Sequence, residues 1–283
     1  MYTLKIENEY HSQIELTHNE DQLQVTSVTG LNPPAAAIST TVVAGFDGER
    51  FNSSRMDKRN IVISFVINSN VDDNITRLNR VIFPKRYLKV YYKSRSKDLY
   101  IEGYTESFEY DHFDNKIACQ LSVICPSPFW ISNELTEALL SPVVDLFEFP
   151  FSIPVEGIAL SEFVGSKTGN VDNNGNIETG VIIEIEAINN IIEPTIINVN
   201  TGQRMTVNVE MNDGDRIIIS TIKGNKYIKL DCNCVESNLI NDLTPDSEWI
   251  QLLPGSNRFN YTALYGESNM RITVKHRDLF GGV

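Results

Sequence analysis

The sequence holds few of the residues that do chemistry, and those present are not grouped for it. Only four cysteines and four histidines occur in 283 residues. The histidines, His11, His18, His112 and His276, are scattered, and none stands in a Ser-His or metal-helix pattern. No glycine-rich phosphate loop is present. Positive charge is scarce: 24 Lys and Arg stand against 37 Asp and Glu, a formal net charge of −13. That balance argues against a nucleic-acid binder, because phosphate contacts need clustered cations. No apolar run approaches the length of a membrane span, and the opening residues MYTLKIENEY lack the basic-then-apolar layout of a signal peptide. The expectation is a chain folded in the cytosol, with reduced thiols and no membrane partner.

The cysteines test the same point. In KIACQLSVIC, Ile117, Cys119, Leu121, Val123 and Cys125 occupy alternate apolar positions, while Lys116, Gln120 and Ser122 are polar. Both thiols then face the core of one strand. Six residues of strand span roughly 20 Å, too far for a disulfide or a shared metal. Ile228, Leu230, Cys232 and Cys234 repeat the pattern, and no second Cys or His pair at zinc spacing completes a site. Core thiols are expected, with no metal and no cofactor. Paired carboxylates such as Glu184 with Glu186, or Asp213 with Asp215, read as solvated strand edges or turns in so acidic a chain.

Strand signals are abundant. Ile61, Ile63, Phe65 and Ile67 share one face of NIVISFVI; Met205, Val207, Val209 and Met211 share one face of RMTVNVEM. The turns at Asn212–Asp215 and Lys223–Lys226 lead into RIIIS and YIKLDCNC, which predicts an antiparallel meander. DDNITRLNRVIF places Ile75, Leu78 and Ile82 on one helical face, with Asp72 and Asp73 at the start and Pro84 as the stop. A short helix is also expected in Asn133–Leu140. After Cys125 the sequence turns rich in proline and phenylalanine without a clean period, so a connector is expected at 129–150, between domains at 1–128 and 151–283. The class is mainly β. Pro84–Lys97 carries six basic residues, three tyrosines and no acid. Such a stretch can bind single strands, but a solvated hairpin explains it better.

Two segments are more than generic β. GFDGERFNSSRMDKRNIVISFVI is a glycine-bearing loop with spaced Arg50, Arg55 and Arg59 running into a buried strand, and WIQLLPGSNRFNYTA is a strand, a turn and a strand. With CPSPFW, FEFPFSIP and IIEPTIINVNTGQRMTVNVEMNDGDRIIIST they closely resemble, in one order across nearly the whole chain, the distal tail proteins (Dit) of long-tailed phages of Gram-positive bacteria. The resemblance implies a non-enzymatic structural protein of the virion tail tip, assembled in the host cytoplasm. Its N-terminal β-rich domain with one α-helix would form a homohexameric ring. Its C-terminal domain would be a galectin-like β-sandwich. The implied partners are other copies of the chain, the tail tube protein, the tail-associated hub or tip protein and, in some relatives, receptor-binding proteins. Arg50, Arg55 and Arg59 are expected either as subunit or tube contacts or, with equal weight, as solvent-facing loop charges. The hairpin from Tyr87 to Tyr110 offers Lys89, Lys93, Arg95 and Lys97 to acidic patches on a neighbour. The alternative function is a carbohydrate-binding module aimed at host wall polysaccharide. Against it, the sequence has no His-x-Asn-x-Arg sugar-contact pattern, and Trp249 sits among the core-like Ile250, Leu252 and Leu253.

Overall fold

In the computed structural model, residues 2–17, 23–45, 47–111, 116–140, 143–145, 161–163, 168–232 and 235–283 are described. His18, His112, Cys234 and most of the second half of the expected connector lie outside them. The chain divides into two compact units: Met1–Glu134 together with Leu279–Val283, and Leu135–Asp278.

The first unit is built on strands β1 (Thr3–Asn8), β2 (Gln13–Leu16), β3 (Leu23–Thr29), β4 (Ala36–Val42), β5 (Glu49–Met56) and β6 (Arg59–Ile67). Helix α1 (Val71–Val81) follows, then β7 (Tyr87–Lys93), β8 (Asp98–Tyr110), β9 (Ile117–Cys125) and β10 (Trp130–Ser132). Seven of these strands hydrogen-bond in the order β2-β1-β7-β8-β9-β6-β3. The two ends of that path meet at a parallel bridge between Thr17 and Gln24, where the Val25 N–H donates to the Thr17 carbonyl at 2.6 Å. Closure of this kind removes the open edges that a sheet otherwise presents to other chains.

The alternation read in the sequence is the inside-outside alternation of this wall. Ile61, Ile63, Phe65 and Ile67 of β6 and Ile117, Cys119, Leu121, Val123 and Cys125 of β9 all point inward and are buried. Helix α1 starts after Asn70, which takes a left-handed φ of 49°, and buries Asn74, Leu78 and Val81. The Asn74 amide is satisfied by the Ser69 carbonyl at 2.8 Å. Gly30 leaves β3 at φ +84°, and a Cβ there would stand 2.1 Å from the Asn60 carbonyl oxygen, so only glycine fits.

The second unit is a β-sandwich. One sheet has six strands in the order Thr136–Leu139, Met270–His276, Ile182–Ala187, Arg216–Ser220, Tyr227–Cys232 and Val235–Asn238. The other has four, in the order Thr168–Asn173, Gly255–Thr262, Thr195–Asn198 and Arg204–Thr206. Ile183, Ile185, Ile217 and Ile219 of the first sheet share a core with Val171, Ile196, Met205, Phe259 and Tyr261 of the second. Of the predicted meander only the second half forms, Arg216–Ser220 pairing with Tyr227–Asp231. RMTVNVEM is broken into two short strands that join other partners, Arg204–Thr206 with Thr195–Ile197 and Glu210–Met211 with Ile191–Ile192.

Two expectations need correction. Asn133–Leu140 is not helical: Thr136–Leu139 pairs antiparallel with Thr273–His276, so its backbone groups are taken by a neighbouring strand. The stretch expected to begin a connector at 129 instead opens with β10, a strand of the first unit, whose Trp130 is fully buried in that unit's core. The strand Leu279–Phe280 returns to pair with β10, Trp130 opposite Phe280 and Ile131 opposite Leu279.

Candidate interaction surfaces

Strands β4 and β5 lie outside the closed wall and, among the described residues, pair only with each other, from Ala36 opposite Met56 to Val42 opposite Glu49. The sequence reading took half of this segment for a loop; it is a two-stranded ribbon. Cross-strand partners share a face. The register shifts between Ser39 and Thr40, where Asn52 is the extra residue, and this sets Phe51 opposite Thr40. Ile38, Val42, Phe51 and Met56 therefore fall on one face, and Arg50 and Arg55, opposite Thr41 and Ala37, on the other. Every described residue of both strands is exposed, Ile38 at 65% and Phe51 at 59%. A lone two-stranded ribbon is marginal in water, and one with an apolar face left open calls for cover. The signal in the sequence was the stretch Ile38–Val43, β-branched at every position but Ser39, before the glycines Gly45 and Gly48.

The hairpin of β7 and β8 forms as expected but is not a free edge, because β7 also pairs with β1 and β8 with β9. Its cations are largely engaged at home. Lys89 lies 3.3 Å from Glu102 and Lys93 3.3 Å from Asp98. Lys97 donates to the Gly282 carbonyl at 3.5 Å and sits over the Phe280 ring. Arg95 stands exposed in the turn. On the outer face the hairpin sets Tyr91 against Tyr100 at a tilt and Tyr87 edge-on to Tyr104, with Lys5 over Tyr91 at 4.2 Å. Burial, then hydrogen bonding to Glu102, raises the Tyr87 phenol, and burial with the Glu7 charge pushes Tyr91 up to about 12.

Arg59 is not a surface charge. It is 3% exposed, and its guanidinium donates to four carbonyls: Pro128 at 2.8 Å, Asn32 at 2.7 Å, and Gly30 and Gly281 at 2.5 Å each. The Trp130 ring lies 5.9 Å away. Burial lowers its pKa, partly offset by Cys125. Arg50 and Arg55 are solvent-facing, with Arg55 3.6 Å from Asp57. The seven basic residues named from the sequence thus do not form one surface.

Two family models match this chain. One, described as a phage tail protein RIFT-related domain, covers residues 11–125; the other, the C-terminal domain of a siphovirus-type tail component, covers residues 174–279. The chain belongs to the siphophage distal tail protein family. The fold of this distal tail protein is that seen in the crystal structure of SPP1 Dit, described as a paradigm of the hub adsorption apparatus in phages infecting Gram-positive bacteria. The two align with a TM-score of 0.71 and 13% identity, over 98% of this chain and 99% of that one. A chain of the phage p2 baseplate in its activated, calcium-bound conformation aligns with a TM-score of 0.51 and 8% identity, over 98% of each chain. No curated protein matches in sequence. The distal tail protein is thus a structural component of a phage tail, with the mainly β, two-domain fold expected of its family.

Proposed function

We propose that this distal tail protein assembles as a homohexameric ring at the tail tip, a non-enzymatic hub between the tail tube protein above and the tail-associated tip protein below. The observation that carries the reading is the β4–β5 ribbon. The first unit, with its wall closed upon itself, has little edge to offer, yet it extends a ribbon whose Ile38, Val42, Phe51 and Met56 face solvent together. A contact between that ribbon and a different surface of the next copy is heterologous, and heterologous contacts repeated with a rotation that divides the full turn close into a ring. Arg50, Arg55 and Arg95, exposed and off the apolar face, are the remaining candidates from the sequence for contacts between subunits or with the tube. Assembly in the host cytoplasm and carriage of receptor-binding proteins accompany the same reading.

Light scattering and sedimentation of the full chain test it. A hexamer is expected, alone or on adding tube protein, and Phe51→Asp should convert it to monomers with an unchanged circular dichroism spectrum. A wild-type chain that stays monomeric with the tube protein present overturns the ring. A Phe51→Asp chain that still forms hexamers overturns the role of the ribbon.

A further inference from the structure

The second unit carries a feature that a ring hub does not use. Where strands Tyr227–Cys232 and Val235–Asn238 form the outer edge of the six-stranded sheet, a cleft of about 290 Å³ opens between them and Ile240. Its size is at the small end of ligand clefts, which run roughly 300–1,000 Å³. We propose that this cleft binds a single saccharide or polyol unit bearing an anionic group.

Three observations support that class of ligand. First, the cleft offers donors and an acceptor side by side, as a hydroxyl that both donates and accepts requires. Lys229 Nζ is held 2.7 Å from Glu236 Oε2, and that carboxylate keeps the ammonium above its ordinary pKa and so charged. Asn238, whose Oδ1 accepts the Ile240 N–H, and Ser237 line the cleft and add an amide NH₂ and a hydroxyl to its polar groups. Second, an aromatic surface is present. Tyr227 lines the cleft and is half-exposed, with Lys229 Nζ 5.5 Å from its ring centroid, and Lys226 Nζ lies 5.0 Å from the neighbouring Trp249 ring. An amphipathic aromatic side chain beside polar groups suits a sugar, which presents both C–H and O–H groups. Third, the local charge opposes that of the chain. Lys226 and Lys229 against Glu236 leave one excess cation in the cleft, on a protein of net charge −13. A phosphate or carboxylate on the ligand completes the balance.

The proposal stands apart from the ring reading, since none of these residues lies on the ribbon. Saturation-transfer NMR on the full chain tests it, with glucose 1-phosphate, methyl glucoside and inorganic phosphate as probes. At about 10 mM even a ~1 mM site is mostly occupied. Glucose 1-phosphate should show transfer, the uncharged glucoside should bind roughly tenfold more weakly, as loss of a charge-assisted contact implies, and Tyr227→Ala and Lys226→Gln should each weaken glucose 1-phosphate binding by a similar factor when the transfer signal is titrated. Both residues are on the surface, and an unchanged circular dichroism spectrum shows that the variants fold. No transfer, transfer equal in the variants, or displacement by phosphate with no contribution from the sugar each overturns the proposal.

Discussion

Cys119 and Cys125 show what a β-wall does to a reactive group. Each thiol hydrogen-bonds weakly to a carbonyl two residues back, at 3.9 Å, and burial pushes both up to about 12 from the ordinary 9. Alternation in the sequence was enough to find them, because the only question was which way the side chains point. Cys232, expected on the same grounds to be a core thiol, is only half-buried, and hydrogen bonding to Asp215 is the main cause raising its pKa. Two consequences follow for the buried pair. Disulfide-exchange reagents should not label Cys119 or Cys125 in the native chain at neutral pH. Between pH 9 and pH 12 the unfolded chain gives up thiol protons that the folded chain keeps. The unfolded state then binds fewer protons, so stability conferred by these groups is complete below pH 9 and is lost as pH rises. Urea midpoints of the first unit measured across that range should fall, and the fall should be shallower in Cys119→Val/Cys125→Ala. An identical slope in that variant would show that the tyrosines and lysines carry the whole effect.

At the scale of elements, Arg59 is a latch. Its carbonyl partners come from the β3–β4 connection, from the residue two before β10 and from the segment after Leu279–Phe280, three stretches far apart in the chain. Arg59→Met keeps much of the side-chain volume and removes every donor. It should destabilise the first unit by about 3 kcal/mol or more, since each buried acceptor left unpaired costs ~1–3 kcal/mol before relaxation. Each unit has one tryptophan, Trp130 and Trp249, so a Trp249→Phe background lets fluorescence follow the first unit alone. A loss below about 1 kcal/mol would mean that water replaces the guanidinium readily. The latch also marks where the sequence stops being legible. Strand β6 and helix α1 announce themselves because their periods, two and 3.6, are properties of the chain itself. Arg59 binds main-chain carbonyls, which every residue carries, so no partner residue betrays it. Leu279–Phe280 is too short to show a period, and Asn133–Leu140 has helix-forming residues overruled by the strand Met270–His276. The ribbon was half-read: its arginines were noticed, but a register shift that gathers four apolar side chains on one face is visible only once the strands are paired.

For the whole molecule, the chain path decides what can be separated from what. The second unit is spliced into the first between two strands that are themselves neighbours, β10 and Leu279–Phe280, with Ile131 opposite Leu279 at the point of exit. Each unit has its own buried cluster, from Leu4 to Trp130 in one and from Leu140 to Val274 in the other. Removing Leu135–Asp278 and joining Glu134 to Leu279 through one or two glycines leaves those strands as an ordinary hairpin with a short loop. The resulting chain keeps the closed wall, the Arg59 latch and the β4–β5 ribbon. It should therefore fold with one cooperative transition and assemble to the same stoichiometry as the full chain by sedimentation. The excised Leu135–Asp278 should fold and remain monomeric. A well-folded first unit that no longer assembles would move the ring contacts to the second unit, and with them the reason for the exposed ribbon. Assembly retained without the second unit would leave that sandwich, and the cleft at its edge, free for contacts beyond the ring.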